Sequence, residues 1–191
     1  MYYMGDSEWW DNRFKARGLK VMSHERILEE DLKYFPKEGK VLDIACGDGR
    51  NATYLAEAGY EVMAVDFSEE ALNRLAYFIQ GKDLKIETKE LDLSSEEALE
   101  SLDKFEIIII NHYRLKPELY AKIMQHISDG GVLWVNGFRE EPKDNPRITS
   151  TDILRDEDFS LLSRYELVDR KVYEIGERKF IRGIWRKIVM K

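Results

Sequence analysis

The 191-residue sequence contains one cysteine, Cys46, and three histidines, His24, His112 and His126. A lone cysteine excludes a disulfide within the chain, and no cysteine and histidine grouping has zinc-site spacing, so no metal is expected. Apolar runs are short, and none approaches the ~20 residues that cross a bilayer. The opening residues, MYYMGDSEWWDNRF, hold no apolar stretch of signal-peptide length. A reducing cytoplasm and no membrane partner are therefore expected. Positive charge is in deficit as well: 30 Lys and Arg against 37 Asp and Glu leave a net charge of −7, which argues against a broad nucleic-acid surface. The final stretch runs the other way, because residues 164–191 carry nine basic and four acidic side chains. A solvated strand face and an anion-binding face both fit that excess. Internal repeats, low-complexity tracts and linkers are missing too. With 43% apolar and 35% charged residues, that leaves one globular domain over residues 1–191 and no sign of its oligomeric state.

What is present is concentrated in residues 40–51, KVLDIACGDGRN. Val41, Leu42, Ile44 and Ala45 form an apolar run suited to a strand buried on both faces, and Asp43 interrupts it with a carboxylate that needs a task. Gly47 and Gly49 allow a tight turn and close approach of another molecule to the backbone. A helix is expected to start near residue 50, with an N-terminus suited to an anionic group. Together these make a site for a nucleotide-like ligand. The spacing Gly47-x-Gly49-x-x-Ala52 also fits the dinucleotide fingerprint, so an NAD-dependent oxidoreductase stays open on the glycines alone.

The run Asp43-Ile44-Ala45-Cys46-Gly47-Asp48-Gly49 resembles the acid-plus-glycine signature of class I S-adenosylmethionine-dependent methyltransferases. Gly49-Arg50-Asn51, Tyr54-Leu55-Ala56 and Gly59-Tyr60-Glu61-Val62 are similar to the small-molecule branch that includes tellurite-resistance and thiopurine-type enzymes. The resemblance covers residues 20–138. It implies an α/β, Rossmann-like, doubly wound sheet of seven strands, mostly parallel, with one antiparallel strand near the C-terminus. It also implies S-adenosyl-L-methionine as cofactor and direct in-line methyl transfer. Site roles follow from the same resemblance. Gly47 and Gly49 would admit the methionyl end, with Ala45, Cys46, Arg50 and Asn51 around the loop and Asp43 toward the ammonium. Asp66, followed by Phe67 and Ser68, would meet the ribose, Asp92 and Leu93 the adenine, and Asn111 the end of the fourth strand. Asp66 lies 17 residues after Gly49, near the roughly 20 usual for a ribose-binding acid in βαβ sites. A non-catalytic cofactor-binding module on the same fold is the other reading, because methyl transfer has no obligatory catalytic residue.

Taken in order, residues 7–18 are expected to form a helix with Trp9, Trp10 and Phe14, and two adjacent tryptophans cannot share one helix face. Core packing fits them, and so does a helical lid over residues 1–38, with Trp9, Trp10 and Arg13 closing on the core 39–191. Ser23 is expected to cap a helix reaching residue 34 and carrying His24. Further helices are expected at 69–80, at 117–127 with Pro117 in its first turn, and at 153–163. Strands are expected at 60–65, 84–88, 105–110 and 132–138, the last entered through the turn Asp129-Gly130-Gly131. A hairpin over 167–175 and 179–190 would turn at Gly176-Glu177.

Ligands of open α/β sheets lie at the carboxyl ends of the strands. His112 and Tyr113, after the isoleucine-rich strand, and Arg139, opening the polar loop 139–151, are therefore the catalytic, substrate-facing candidates. A helix-start or packing role fits His112 as well, and His126 is expected at the surface. The branch tends to carry a histidine before its last strand, whereas Gly176-Glu177-Arg178-Lys179 has none, so the methylated atom stays open. Arg178 and Arg182 are candidates for attracting an anionic acceptor. A small soluble acceptor is expected, with RNA or protein as the alternative.

Overall fold

The computed structural model describes residues 6–93 and 96–188. Its seven strands are β1 (Lys40–Ile44), β2 (Glu61–Asp66), β3 (Ile86–Glu90), β4 (Phe105–Asn111), β5 (Ile127–Phe138), β6 (Glu166–Ile175) and β7 (Arg178–Arg186). They form one sheet in the order β3-β2-β1-β4-β5-β7-β6. The pairs among β1 to β5 are parallel, and β7 runs antiparallel to both neighbours, so β7 is the one reversed strand, as expected. The helices are α1 (Ser7–Lys15), α2 (Arg26–Asp31), α3 (Arg50–Glu57), α4 (Glu69–Ile79), α5 (Glu96–Glu100) and α6 (Pro117–Ile123). Strand order reverses between β1 and β4, which opens a crevice at their carboxyl ends.

The core follows from strand alternation. Leu42, Ile44, Ile108, Ile110, Leu133 and Val135 join one buried cluster. Their neighbours Val41, Ile107, Ile109, Val132 and Trp134 join another. Successive side chains point to opposite faces, so a run of four isoleucines supplies both layers at once. Ser68 caps α4 by accepting from the Ala71 N–H at 3.1 Å, and Pro117 occupies the first turn of α6, where its missing N–H costs nothing.

Several expectations are corrected. Ser23 caps nothing: α2 begins three residues later with Glu25 at its N-cap. His24 lies ahead of that helix and stacks on Tyr54 with centroids 3.8 Å apart. The pair Gly130-Gly131 lies within β5, bonded to Lys187 through the Gly130 N–H and the Gly131 carbonyl. A Cβ at Gly131 would lie 2.6 Å from the Glu106 carbonyl oxygen, and this close approach explains the glycine. The helix expected at 153–163 is a 3-10 helix, Asp156–Leu162. The last strand ends at Arg186; Val189 and Met190, expected within it, lie outside the described residues.

The N-terminal segment is not uniform. α2 is fastened to the sheet by Asp31, which accepts from Trp134 Nε1 at 2.8 Å and faces Arg182 Nε at 2.7 Å, both acid and arginine almost wholly buried. Asp169 completes the cluster from β6, 2.6 Å from Arg182. Arg182 is therefore neutralised inside the protein and does not reach an acceptor. α1 lies across α4 instead, where Asp11 accepts from the Ser68 hydroxyl at 2.5 Å.

Candidate active site

A cavity of about 770 Å³ opens at the carboxyl ends of β1, β2 and β4 and is roofed by α1. Its floor is the β1 to α3 turn. Ala45 holds φ +54°, the Cys46 N–H bonds the Val65 carbonyl at 3.0 Å, and Gly47 follows at φ +56°. The chain thus leaves the sheet abruptly and exposes its backbone. A Cβ on Gly47 would stand 3.2 Å from Phe14 Cζ, so the space above it belongs to α1 and the cavity. From β2, Asp66 accepts from the Gly47 N–H at 2.8 Å and the Ser68 N–H at 3.0 Å, which fixes the loop and leaves each oxygen a further lone pair. Burial raises the Asp66 pKa, partly offset by those N–H donors. A smaller hollow of about 420 Å³ lies at the opposite ends of β1 and β2 and holds none of these groups.

Asp43 is a strongly perturbed acid. It is 1% exposed, and burial, with the Asp66 charge beside it, pushes its pKa up to about 8. Its Oδ2 is buried with no hydrogen-bond partner. Burying Asp43 this way is costly unless a donor or cation arrives.

The second half of the site is built around His112, also left-handed at φ +54°. Its N–H bonds the Asn136 carbonyl at 2.8 Å, and its ring packs between Phe138 and Phe180 at 4.9 and 5.7 Å. His112 Nε2 lies 2.8 Å from Glu25 Oε1, an atom that also takes Arg50 Nη2. Burial works to raise the Glu25 pKa, but His112, Arg50 and Asn111 outweigh it and hold the carboxyl at about 2. An ionised Glu25 requires Nε2 to donate. In the neutral imidazole the lone pair then falls on Nδ1, which is buried and unpaired. Asn111 accepts from Asn136 Nδ2 at 3.0 Å, and Asn136 in turn accepts from the Tyr173 hydroxyl at 2.8 Å. A polar chain therefore runs from the hairpin to Glu25.

Of the candidates read from the sequence, the structure gathers Asp43, Ala45, Cys46, Gly47, Arg50, Asn51, Asp66, Phe67, Asn111, His112 and Tyr113 around this cavity. Five others stand apart. Gly49 does not line it; a Cβ there would collide with Leu75 Cδ1 at 2.2 Å, so this glycine serves the packing of α4 on the loop. Ser68 is spent on the α4 cap and Asp11. Leu93 belongs to the core, and Asp92 is exposed outside the lining. Arg139 turns away to Asp156 at 2.8 Å and the Leu154 carbonyl. Burial, with the Asp66 and Asp43 charges, raises the Cys46 thiol pKa, which leaves it a packing group.

Glu25 is the residue that the sequence hid. It sits in no motif, and its N–H is held by Asn51 Oδ1 at 3.0 Å. Arg147, on the loop after β5, likewise sits in no motif, and Trp9, Trp10 and Arg13 all line the roof.

An adenosyl ligand with an ammonium group suits this donor set. The orphaned Asp43 oxygen asks for a cation, Asp66 has lone pairs to spare, and Gly47 leaves room for close approach.

A family model described as a methyltransferase domain matches residues 41–131. The ubiquinone biosynthesis O-methyltransferase of Rickettsia typhi is 25% identical over 144 residues, covering 71% of this chain and 57% of that protein. A probable S-adenosyl-L-methionine-dependent methyltransferase, TehB of Haemophilus influenzae, is 30% identical over 96 residues, 48% of this chain and 33% of that one. The chain thus spans about a third to three fifths of the length of these relatives. The crystal structure of TehB from Haemophilus influenzae superposes with a TM-score of 0.69 at 20% identity, over 93% of this chain and 67% of that one. The [4+2]-cyclase SpnF superposes at 0.75 with 12% identity, over 98% and 97%. In sequence and in fold the chain resembles the small-molecule branch of the class I S-adenosylmethionine-dependent methyltransferases, and S-adenosyl-L-methionine is the cofactor that family implies.

Proposed function

We propose that this chain, with the methyltransferase signature in residues 41–131, transfers a methyl group from S-adenosyl-L-methionine to a small-molecule acceptor. Because a cyclase shares the fold, the reaction is argued from the site. The observation that carries it is the single cavity in which Asp43 and Asp66 stand beside the Glu25–His112 pair. Asp43 and Asp66 would hold the ammonium and ribose, and the Gly47 backbone would admit the methionyl chain. When bound, S-adenosyl-L-methionine would supply an electrophilic methyl on a sulfonium whose neutral thioether is the leaving group for the acceptor's lone pair. For an O–H or N–H acceptor, His112 takes the displaced proton on Nδ1 while Glu25, through Nε2, holds the ring and balances the charge that develops. Phe138, Phe180 and the roof of α1 exclude water, so alignment does most of the work.

A small acceptor is favoured by the cavity volume, which is of the order usual for small-molecule sites. The net charge of −7 also disfavours nucleic acid, and the ubiquinone-pathway relatives carry the names of small-molecule enzymes. The N-terminal segment acts as a lid only in its first part, α1, while α2 is a fixed support for Glu25. Calorimetry with S-adenosylmethionine, S-adenosylhomocysteine and NAD tests the cofactor; tight NAD binding with no binding of either adenosyl compound would remove the reading. A radiolabelled-methyl screen of small thiols, amines, phenols and oxyanions beside RNA and cell-extract proteins tests the acceptor. Label found only in RNA or protein would overturn the small-molecule assignment.

A further inference from the structure

Five arginines line the cavity: Arg13, Arg17, Arg50, Arg147 and Arg178. Three are neutralised, Arg17 by Asp48, Arg50 by Glu25 and Arg178 by Asp144. Among the described residues, no carboxylate lies within ion-pair distance of the other two. Arg13 rises from α1 between Trp9 and Trp10, its guanidinium 5.3 and 5.4 Å from their ring centroids, and its Nε is buried without a partner. Arg147 is placed by the β5 loop: its N–H donates to Asn145 Oδ1 at 3.3 Å, and the next residue, Ile148, packs against Phe138, Ile153 and Phe180. Of the lining acids, Asp48 and Glu25 are taken by arginines, Asp6 caps α1, and Asp152 accepts from Thr149. Asp6 and Asp152 are thus held by neutral N–H donors and, among the described residues, face no cation; Asp43 and Asp66 stand on the floor, and Arg13 and Arg147 are the lining guanidinium groups without an ion pair.

We propose that Arg13 and Arg147 form the seat for an anionic group, a carboxylate or a phosphate, carried by the methyl acceptor. The identity of the ligand as acceptor rests on the methyl-transfer reading; the seat itself rests on the two unpaired guanidinium groups. A planar guanidinium matches both anions by paired N–H donors. Burial lowers the Arg13 pKa, and Arg17 and Arg147 lower it further, so the arrangement holds like charges together that an anion would reconcile. One arginine is on the roof helix and the other on the loop beyond β5, so the acceptor's own charge would tie the two walls and close α1 over the reacting atoms. Arg147 belongs to the β5 loop and not to the βα units that carry Asp43 and Asp66, which places the seat on the acceptor side.

The test uses the intact chain, with S-adenosylhomocysteine affinity measured by calorimetry and anion binding by ligand-observed NMR. The probes are inorganic phosphate and aromatic carboxylates, each carboxylate paired with its neutral amide, in the presence of saturating S-adenosylhomocysteine. The expected result is that carboxylates bind and amides do not. Arg147→Gln and Arg13→Gln should weaken carboxylate binding at least tenfold, with S-adenosylhomocysteine affinity changed less than twofold and the surface control Lys143→Gln without effect. Equal anion binding by the parent and both arginine variants overturns the proposal. So does a loss of S-adenosylhomocysteine affinity that matches the loss of anion affinity, because the pair would then hold the cofactor. If the anions bind in an arginine-dependent way while no adenosyl compound binds at all, the seat stands and the methyl-transfer reading falls.

Discussion

Asp43→Asn should make the ligand-free protein more stable and the ligand-bound protein weaker, and the two effects can be separated by pH. The folded-state pKa of Asp43 is about 8 against an ordinary value of 3.8. A carboxyl raised in the folded state costs nothing below the unfolded pKa, where both states are protonated. The cost then grows as pH rises, because the unfolded chain releases its proton and the folded one does not, and it levels off above the folded pKa. Integrated from 3.8, it comes to about 2 kcal/mol at pH 5 and about 4 kcal/mol at pH 7. Asparagine removes the titration, keeps the shape and retains an oxygen for the Ala52 N–H that Asp43 accepts. Urea unfolding of parent and variant at pH 4, 5, 6 and 7 reads the difference directly, since midpoints shift at nearly constant slope. The gap between the two proteins should widen by about 3–4 kcal/mol from pH 4 to pH 7. S-adenosylhomocysteine affinity should fall in the variant at every pH. Parallel stability profiles would refute the claim that the buried carboxyl is costly, and unchanged affinity would show that the cost serves no ligand.

Gly47→Val should abolish S-adenosylhomocysteine binding in calorimetry with the circular dichroism spectrum retained, because a branched side chain at φ +56° would press on Phe14 and fill the approach to the loop. Asp66→Ala should weaken the same binding by about 1–3 kcal/mol through lost ribose hydrogen bonds. It should also lower the unfolding midpoint, since the Gly47 and Ser68 N–H groups lose their acceptor; affinity equal to the parent's would remove the ribose assignment. His112→Gln should lower kcat about 100-fold for an O–H acceptor and leave S-adenosylhomocysteine affinity intact, and a variant with unaltered turnover would leave His112 a packing residue. Asp31→Ala should destabilise by about 3–5 kcal/mol in urea unfolding, because buried Arg182 would keep only Asp169 and the buried Trp134 N–H would lose its acceptor.

The fold was legible because it depends on local pattern. The apolar runs of β1 and β4, the Gly47 turn, Pro117 and Gly176 each declare an element within a few residues. The floor of the site was legible for the same reason, since Asp43, Gly47 and Asp66 lie within one βαβ unit. What escaped depends on distant pairing. Glu25 meets His112 across 87 positions, and Arg182 meets Asp31 across 151. No spacing rule connects such residues, and a buried Arg182 reads from sequence like an exposed one. Gly49 shows the converse, for its place in the motif suggested a ligand while the side chain set against it is Leu75. Arg139 was placed by strand order correctly at the end of β5, yet Asp156 draws it away from the cavity.

Among the described residues, Ala45 and His112 are the two non-glycine residues with positive φ, both at +54°. They stand at the carboxyl ends of β1 and β4, the adjacent strands between which the sheet order reverses. Left-handed backbone at such residues costs of order 1–3 kcal/mol each and persists only where the surroundings enforce it. Here the enforcement comes from the next strand over, through the Cys46 N–H on Val65 and the His112 N–H on Asn136. Glycine would relieve the strain at either place, but at position 112 it would delete the imidazole and its bond to Glu25. The strain is therefore the cost of turning the chain sharply off both strands while keeping a side chain aimed at the crevice. It falls at the two strand ends where a ligand of an open parallel sheet must sit.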